Sequence, residues 1–139
     1  MTDLSVIENK LSSITKYLSI LDSFKKYSRD TLENDLVVRG AAERYLYLVT
    51  QSAIDLAEAV ISYKKLRKPT TMGESFYILG EAKLIDSKLV QQMAKLVGFR
   101  NIMAHDYERV DYDIVYDILQ SKLKDIEAFS HAVERIIKK

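Results

Sequence analysis

An all-α fold, an up-and-down bundle of four long helices and one short one, is predicted for this 139-residue chain by three observations. Apolar residues recur at intervals of three and four and not of two, which is the period of a helix burying one face. Four glycines and one proline leave few of the breaks that a set of short strands would need. The segments between those breaks are long and their connections short, which suits antiparallel helical neighbours. A chain of this size buries roughly two thirds of its unfolded surface, so residues 1–139 are expected to form one domain without a metal or disulfide staple. No repeat, low-complexity stretch or linker divides it.

The first helix carries Leu4, Ile7, Leu11, Ile14, Leu18 and Leu21 as one apolar stripe and is expected to end near Lys26 to Arg29. A second, longer helix is expected from Asp30 or Thr31, whose side-chain oxygens suit an N-cap. Its stripe is Val38, Ala42, Tyr45, Val49, Ala53, Leu56, Val60 and Tyr63. Arg39, Glu43, Asp55, Glu58 and Lys65 fall largely off the stripe and give it a wet side. Gly40 marks close packing or a small bend, and Pro69 terminates the helix. Thr71-Met72-Gly73-Glu74 reads as a capping box that opens a short helix through about Leu79, closed by Gly80.

A fourth helix is expected from Asp86 or Ser87, with Leu89, Met93, Leu96, Arg100, Met103 and Tyr107 at the same spacing. Here the stripe changes character, because an arginine and a tyrosine stand where core residues should continue. The last helix starts near Asp111 and turns Val115, Leu119, Leu123, Ile126, Phe129, Val133 and Ile136 inward.

Composition narrows the function. Twenty-one Lys and Arg against twenty Asp and Glu leave a net charge of +1, so nucleic acid contact has to come from a local patch. The clusters Lys64, Lys65, Arg67, Lys68 and Lys25, Lys26, Arg29 are read as solvated helix ends, where cations suit the dipole. The lack of cysteine excludes disulfides, thiolate metal sites and cysteine nucleophiles. Met1-Thr2-Asp3-Leu4 shows no secretion signal, and no window approaches the roughly 18 apolar residues of a membrane span. A cytoplasmic protein without membrane contact is expected. Asp111-Tyr112-Asp113 is read as a helix start and not as a metal site, His131 as a surface residue, and Tyr45, Tyr47, Tyr63, Tyr112 and Tyr116 as core or interface aromatics with a polar tip. No glycine-rich phosphate loop and no zinc spacing occurs, so neither cofactor nor metal is expected and the chain is not itself a nucleotidyltransferase.

Function is sought in Arg100-Asn101-Ile102-Met103-Ala104-His105-Asp106-Tyr107, which gathers a fixed cation, a proton-transfer group and a phenol in eight residues and holds one of only two histidines. On one ideal helix Arg100 and Tyr107 lie within about 20° of each other, whereas Arg100 and His105 are about 140° apart. Either the helix departs from ideality near Ala104, or a second copy supplies the missing partner across a two-fold interface. Such a cleft suits metal-free phosphodiester cleavage. The imidazole gives or takes a proton near neutrality, the guanidinium fork matches phosphate oxygens, and an RNA 2′-hydroxyl serves as nucleophile. The structural alternative is a helix-end histidine in a hydrogen-bonded network.

The same string, preceded by Met93-Ala94-Lys95-Leu96-Val97-Gly98-Phe99, closely resembles the Arg-x4-His-x-Tyr signature of the HepT toxins of the HEPN superfamily. The likeness extends to helix count, the long second helix and the motif's place in the penultimate helix. It implies a metal-independent RNA endonuclease, the toxin of a type VII pair, partnered by an MntA-type nucleotidyltransferase antitoxin. Arg100 would then bind and polarise the phosphate, and His105 would act as general acid or base. Tyr107 would be the residue that the antitoxin inactivates by adding AMP. Asn101 and Asp106 would orient substrate or imidazole, and a homodimer would carry the cleft at its interface. RNA, and not DNA, would be the substrate. Two other readings are a non-catalytic helical subunit that holds nucleotide or substrate for a nucleotidyltransferase, and a mere substrate of nucleotidylation. A nearby Arg100 would lower the His105 pKa and Asp106 would raise it.

Overall fold

The computed structural model describes residues 3–105 and 110–138, with the side chains of Asp3 and His105 left out. Its helices are α1 (Asp3–Asp22), α2 (Arg29–Asn34), α3 (Leu36–Tyr63), α4 (Glu74–Glu81), α5 (Ser87–His105), α6 (Tyr112–Asp117) and α7 (Leu123–Ile137). No strand occurs among the described residues. A tight turn, Ser23–Lys26, follows α1, and a widened turn, Ile118–Lys122, joins α6 to α7. The all-α prediction holds. The four long rods are α1, α3, α5 and the continuous run α6–α7, with two short helices, α2 and α4, where one was expected.

The long α3 is the centre of the bundle and packs against α1, α2, α4, α5 and α7. The predicted stripes supply its core: Ile7, Ile14 and Leu21 from α1, Ala42, Val49, Ala53, Leu56 and Val60 from α3, and Val115, Leu119, Ile126, Phe129 and Val133 from the last rod are all but inaccessible. Of the other stripe residues, Leu11, Leu18, Val38, Tyr45 and Tyr63 are half-buried against this core, and Leu4 is more than a third exposed at the first turn. Phe76 of α4 meets Phe129 of α7 edge to face, with ring centroids 5.2 Å apart.

Where the structure departs from expectation, the cause is local. The second helix does not run unbroken from Asp30 or Thr31. Ser28 caps α2 by accepting from the Thr31 amide, and Asp35 ends it in an extended conformation, then caps α3 by accepting from the Val37 and Val38 amides. Half of the capping box forms: Thr71 Oγ1 accepts from the Glu74 amide, but Glu74 reaches Thr70 instead, accepting from its amide at 2.8 Å. Gly40 packs against nothing, since a Cβ there would find no heavy atom within 4 Å.

Nor does Gly80 close α4. It lies inside the helix, where a Cβ would come within 2.7 Å of Val90 Cγ2 on α5. The closing residue is Lys83, with φ 59°, and Lys65 ends α3 in the same way at φ 57°. Each sits in the left-handed position of a Schellman ending: the Leu66 amide returns to the Ile61 carbonyl and the Leu84 amide to the Leu79 carbonyl.

The widened turn in the last rod has a reason in the stripe itself. Val115, Leu119 and Leu123 are spaced by four and four, and each such step would rotate a residue about 40° off the buried line of a regular α-helix. Extra residues in one turn absorb that drift, so both Leu119 and Leu123 stay inside. Gln120 anchors the turn by donating to the Lys25 carbonyl at 2.8 Å.

Candidate active site

On α5 the stripe Leu89, Met93, Leu96, Arg100, Met103 is buried throughout, so the helix drives the Arg100 guanidinium into the bundle just as it drives the leucines. Arg100 is only 8% exposed. Burying a cation costs several kcal/mol unless its N–H groups find acceptors. Three of them do: Nε donates to Gln51 Oε1 at 2.8 Å, Nη1 to Asn101 Oδ1 at 2.9 Å and Nη2 to the Tyr47 hydroxyl at 3.2 Å. The guanidinium also lies 5.0 Å from the centroid of the Tyr47 ring, within cation–π range. Among the described residues every one of these partners is uncharged.

Two of the three acceptors, Gln51 and Tyr47, come from one face of α3. Glu43, Tyr47, Gln51 and Asp55 follow at intervals of four and therefore line up along the helix. At the lower end Gln51 Nε2 donates to Asp55 Oδ1 at 2.9 Å, and Lys10 of α1 reaches Asp55 Oδ2 at 3.2 Å. At the upper end Glu43 accepts from the buried Tyr112 hydroxyl and pairs with Arg39 at 3.4 Å. Arg39 also stacks 4.9 Å above the Tyr112 ring. Burial, and then the hydrogen bond to Glu43, push the Tyr112 phenol well above its ordinary value of 10.0.

Beside this array runs an open groove of about 350 Å³, lined by Glu43, Arg44, Tyr47, Met103 and Ala104. Arg44 is exposed and stands 5.9 Å from the Tyr47 centroid, so one phenol ring has two guanidinium groups close by. The groove ends at the last turn of α5, where His105 stands.

Of the residues singled out in the sequence, Arg100 and Asn101 come together directly. The backbone of His105 belongs to α5; its side chain, with Asp106 and Tyr107, lies outside the described residues. Sequence reasoning missed Gln51, and treated Tyr47 as a packing aromatic and Asp55 as part of a solvated face. The four-residue spacing of Glu43, Tyr47, Gln51 and Asp55 was the available signal. Asp111 does cap a helix, accepting from the Asp113 amide at 2.8 Å, while Asp113 pairs with Arg29. His131 is exposed and stands 3.6 Å from Glu134. Of the basic clusters, Arg67 is engaged by Glu81 and Glu74. Among the described residues no helix is long and apolar enough to cross a membrane.

Comparison with known proteins places the chain among relatives of one kind. The chain is 33% identical over 111 residues to the tRNA nuclease HepT of Aphanizomenon flos-aquae, covering 80% of this chain and 76% of that protein. It is 27% identical over 133 residues to the mRNA nuclease HepT of Shewanella oneidensis, covering 93% and 96%. Its fold is similar to the tri-AMPylated Shewanella oneidensis HEPN toxin in complex with MNT antitoxin, with a TM-score of 0.86, 26% identity and coverage of 94% and 97%. Residues 14–133, which include the central helix and the Arg100 segment, match the ribonuclease HepT-like family. With a family model matched over most of its length and a relative one third identical, the chain belongs to the HepT-like ribonuclease family.

Proposed function

We propose that residues 1–139 form one HEPN-like unit that cleaves RNA without a metal, as the toxin of a toxin–antitoxin pair. The observation that carries this reading is Arg100, a buried cation with uncharged partners beside the groove, five residues before His105. Its fork grips non-bridging phosphate oxygens and stabilises the charge that grows on them. The 2′-hydroxyl attacks the adjacent phosphorus and the 5′-oxygen leaves. One proton leaves the nucleophile and one is delivered to the leaving oxygen, and His105 handles one of these transfers. Asn101, bonded to Arg100, helps orient the fork, and exposed Arg44 offers the neighbouring phosphate a second cation.

The relatives are called a tRNA nuclease and an mRNA nuclease, so single-stranded stretches of either are the substrates to try first. The AMPylated state of the Shewanella toxin supports the same switch here. In it the Tyr107 hydroxyl would take AMP from ATP, with pyrophosphate leaving, under a nucleotidyltransferase antitoxin; the added bulk and negative charge would block phosphate at Arg100. The angular separation of Arg100 and His105 on one helix favours a homodimer whose cleft draws on both copies. Purified unmodified protein should cut RNA in EDTA, and His105→Ala should abolish cutting. Undiminished cleavage by that variant would overturn the assignment, and peptide mass spectrometry after co-expression with the antitoxin should locate AMP on Tyr107.

A further inference from the structure

Buried arginines ordinarily meet a carboxylate, and α3 offers two on the face that carries Gln51 and Tyr47. Neither touches Arg100. Glu43 is taken up by Arg39 and the Tyr112 hydroxyl, and Asp55 by Lys10 from α1. Between Asp55 and the arginine stands Gln51. Its Nε2 donates to Asp55 at 2.9 Å, which leaves Oε1 facing the Arg100 Nε–H at 2.8 Å. A reversed amide would turn N–H groups toward a guanidinium, which has no acceptor. Asp55 therefore fixes the sense of the amide, and Lys10 holds Asp55.

We propose that Gln51, oriented by Asp55 and Lys10, is a positioning residue for RNA cleavage: it sets the plane of the Arg100 fork without neutralising its charge. A carboxylate at this place would hold the fork equally well but would compete with the phosphate for it. The proposal rests on the reading of Arg100 as the phosphate-binding cation, and the tests keep the two apart.

Two substitutions separate geometry from charge. Gln51→Glu gives the buried cation a counter-ion but also sets a second carboxylate against Asp55, to which Gln51 Nε2 donates at 2.9 Å, so its activity is read at a temperature where circular dichroism shows it folded. It should nonetheless lose about 10- to 100-fold in kcat/KM, the worth of a charge-assisted hydrogen bond. With a non-cleavable 2′-O-methyl RNA, the salt dependence of its binding should fall by about 0.7 in log–log slope, equal to one phosphate contact on a single strand. The same change should be absent when Gln51→Glu is added to Arg100→Ala. Gln51→Met, similar in volume but without an acceptor, should keep the salt slope and lose kcat.

Parent-like kcat/KM and salt slope in folded Gln51→Glu would overturn the proposal, as would a slope change that persists in the Arg100→Ala background. Should Gln51→Glu fail to fold, parent-like kcat in Gln51→Met overturns it and lowered kcat at an unchanged slope supports it. Unaltered cleavage and RNA binding by Arg100→Ala would instead remove the underlying role of Arg100.

Discussion

Arg100 occupies a stripe position of α5 where its neighbours three or four residues away, Leu96 and Met103, are core. The residue is tolerated there because Gln51, Asn101 and Tyr47 replace part of the water that burial removes. Tyr112 answers the same demand differently, giving its proton-bearing oxygen to Glu43. This has a pH signature. A phenol whose pKa is raised on folding contributes stability that is fully present below its unfolded value of about 10 and is lost as pH rises toward the folded value. Urea melts between pH 9 and 11 should therefore show stability falling through the upper half of that range, and Tyr112→Phe should flatten the fall. An unchanged alkaline slope in Tyr112→Phe would show that the Tyr112–Glu43 bond does not govern it.

At the scale of the element, two glycines that look alike in the sequence have opposite roles. Gly40 lies in α3 with open space around it, so alanine there gains helix propensity and should stabilise the protein by about 0.5–1 kcal/mol. Gly80 lies where α4 meets Val90 of α5, and an added methyl must move a branched side chain in a packed interface. That overpacking costs about 1–3 kcal/mol against the same propensity gain, so Gly80→Ala should be destabilising. Chemical denaturation of the two variants checks both signs. The break at Asp35 and the widened turn after Asp117 belong to the same scale. Both were hidden in the sequence, the first because Asp30, Thr31 and Asp35 are all good caps and the second because a run of fours reads as ordinary helix until Leu123 must be placed.

Across the whole molecule, the bundle gathers α1, α3 and α5 around one polar line, from Lys10 through Asp55 and Gln51 to Arg100. Their sequence separations, 45 residues between Lys10 and Asp55 and 49 between Gln51 and Arg100, mean that only the packed fold makes this line. If the cleft draws Arg100 from one copy and His105 from the other, mixing the inactive variants Arg100→Ala and His105→Ala restores activity. Half of the dimers are then mixed and each holds one intact site of two, so about a quarter of parental activity should return. No recovery, with exchange of subunits verified by sedimentation or native mass spectrometry, would place both residues of a site in one chain.

Periodicity alone was enough to determine the helical class, the buried stripes and the position of Arg100 on one of them, because a helix repeats every 3.6 residues whatever surrounds it. The motif from Arg100 to Tyr107 likewise carried the family resemblance without a structure. What the tertiary structure decided is which uncharged groups receive the buried cation. Tyr47 and Gln51 become its partners only when α3 and α5 pack side by side, and nothing in the local sequence around either position specifies which face of another helix it will meet.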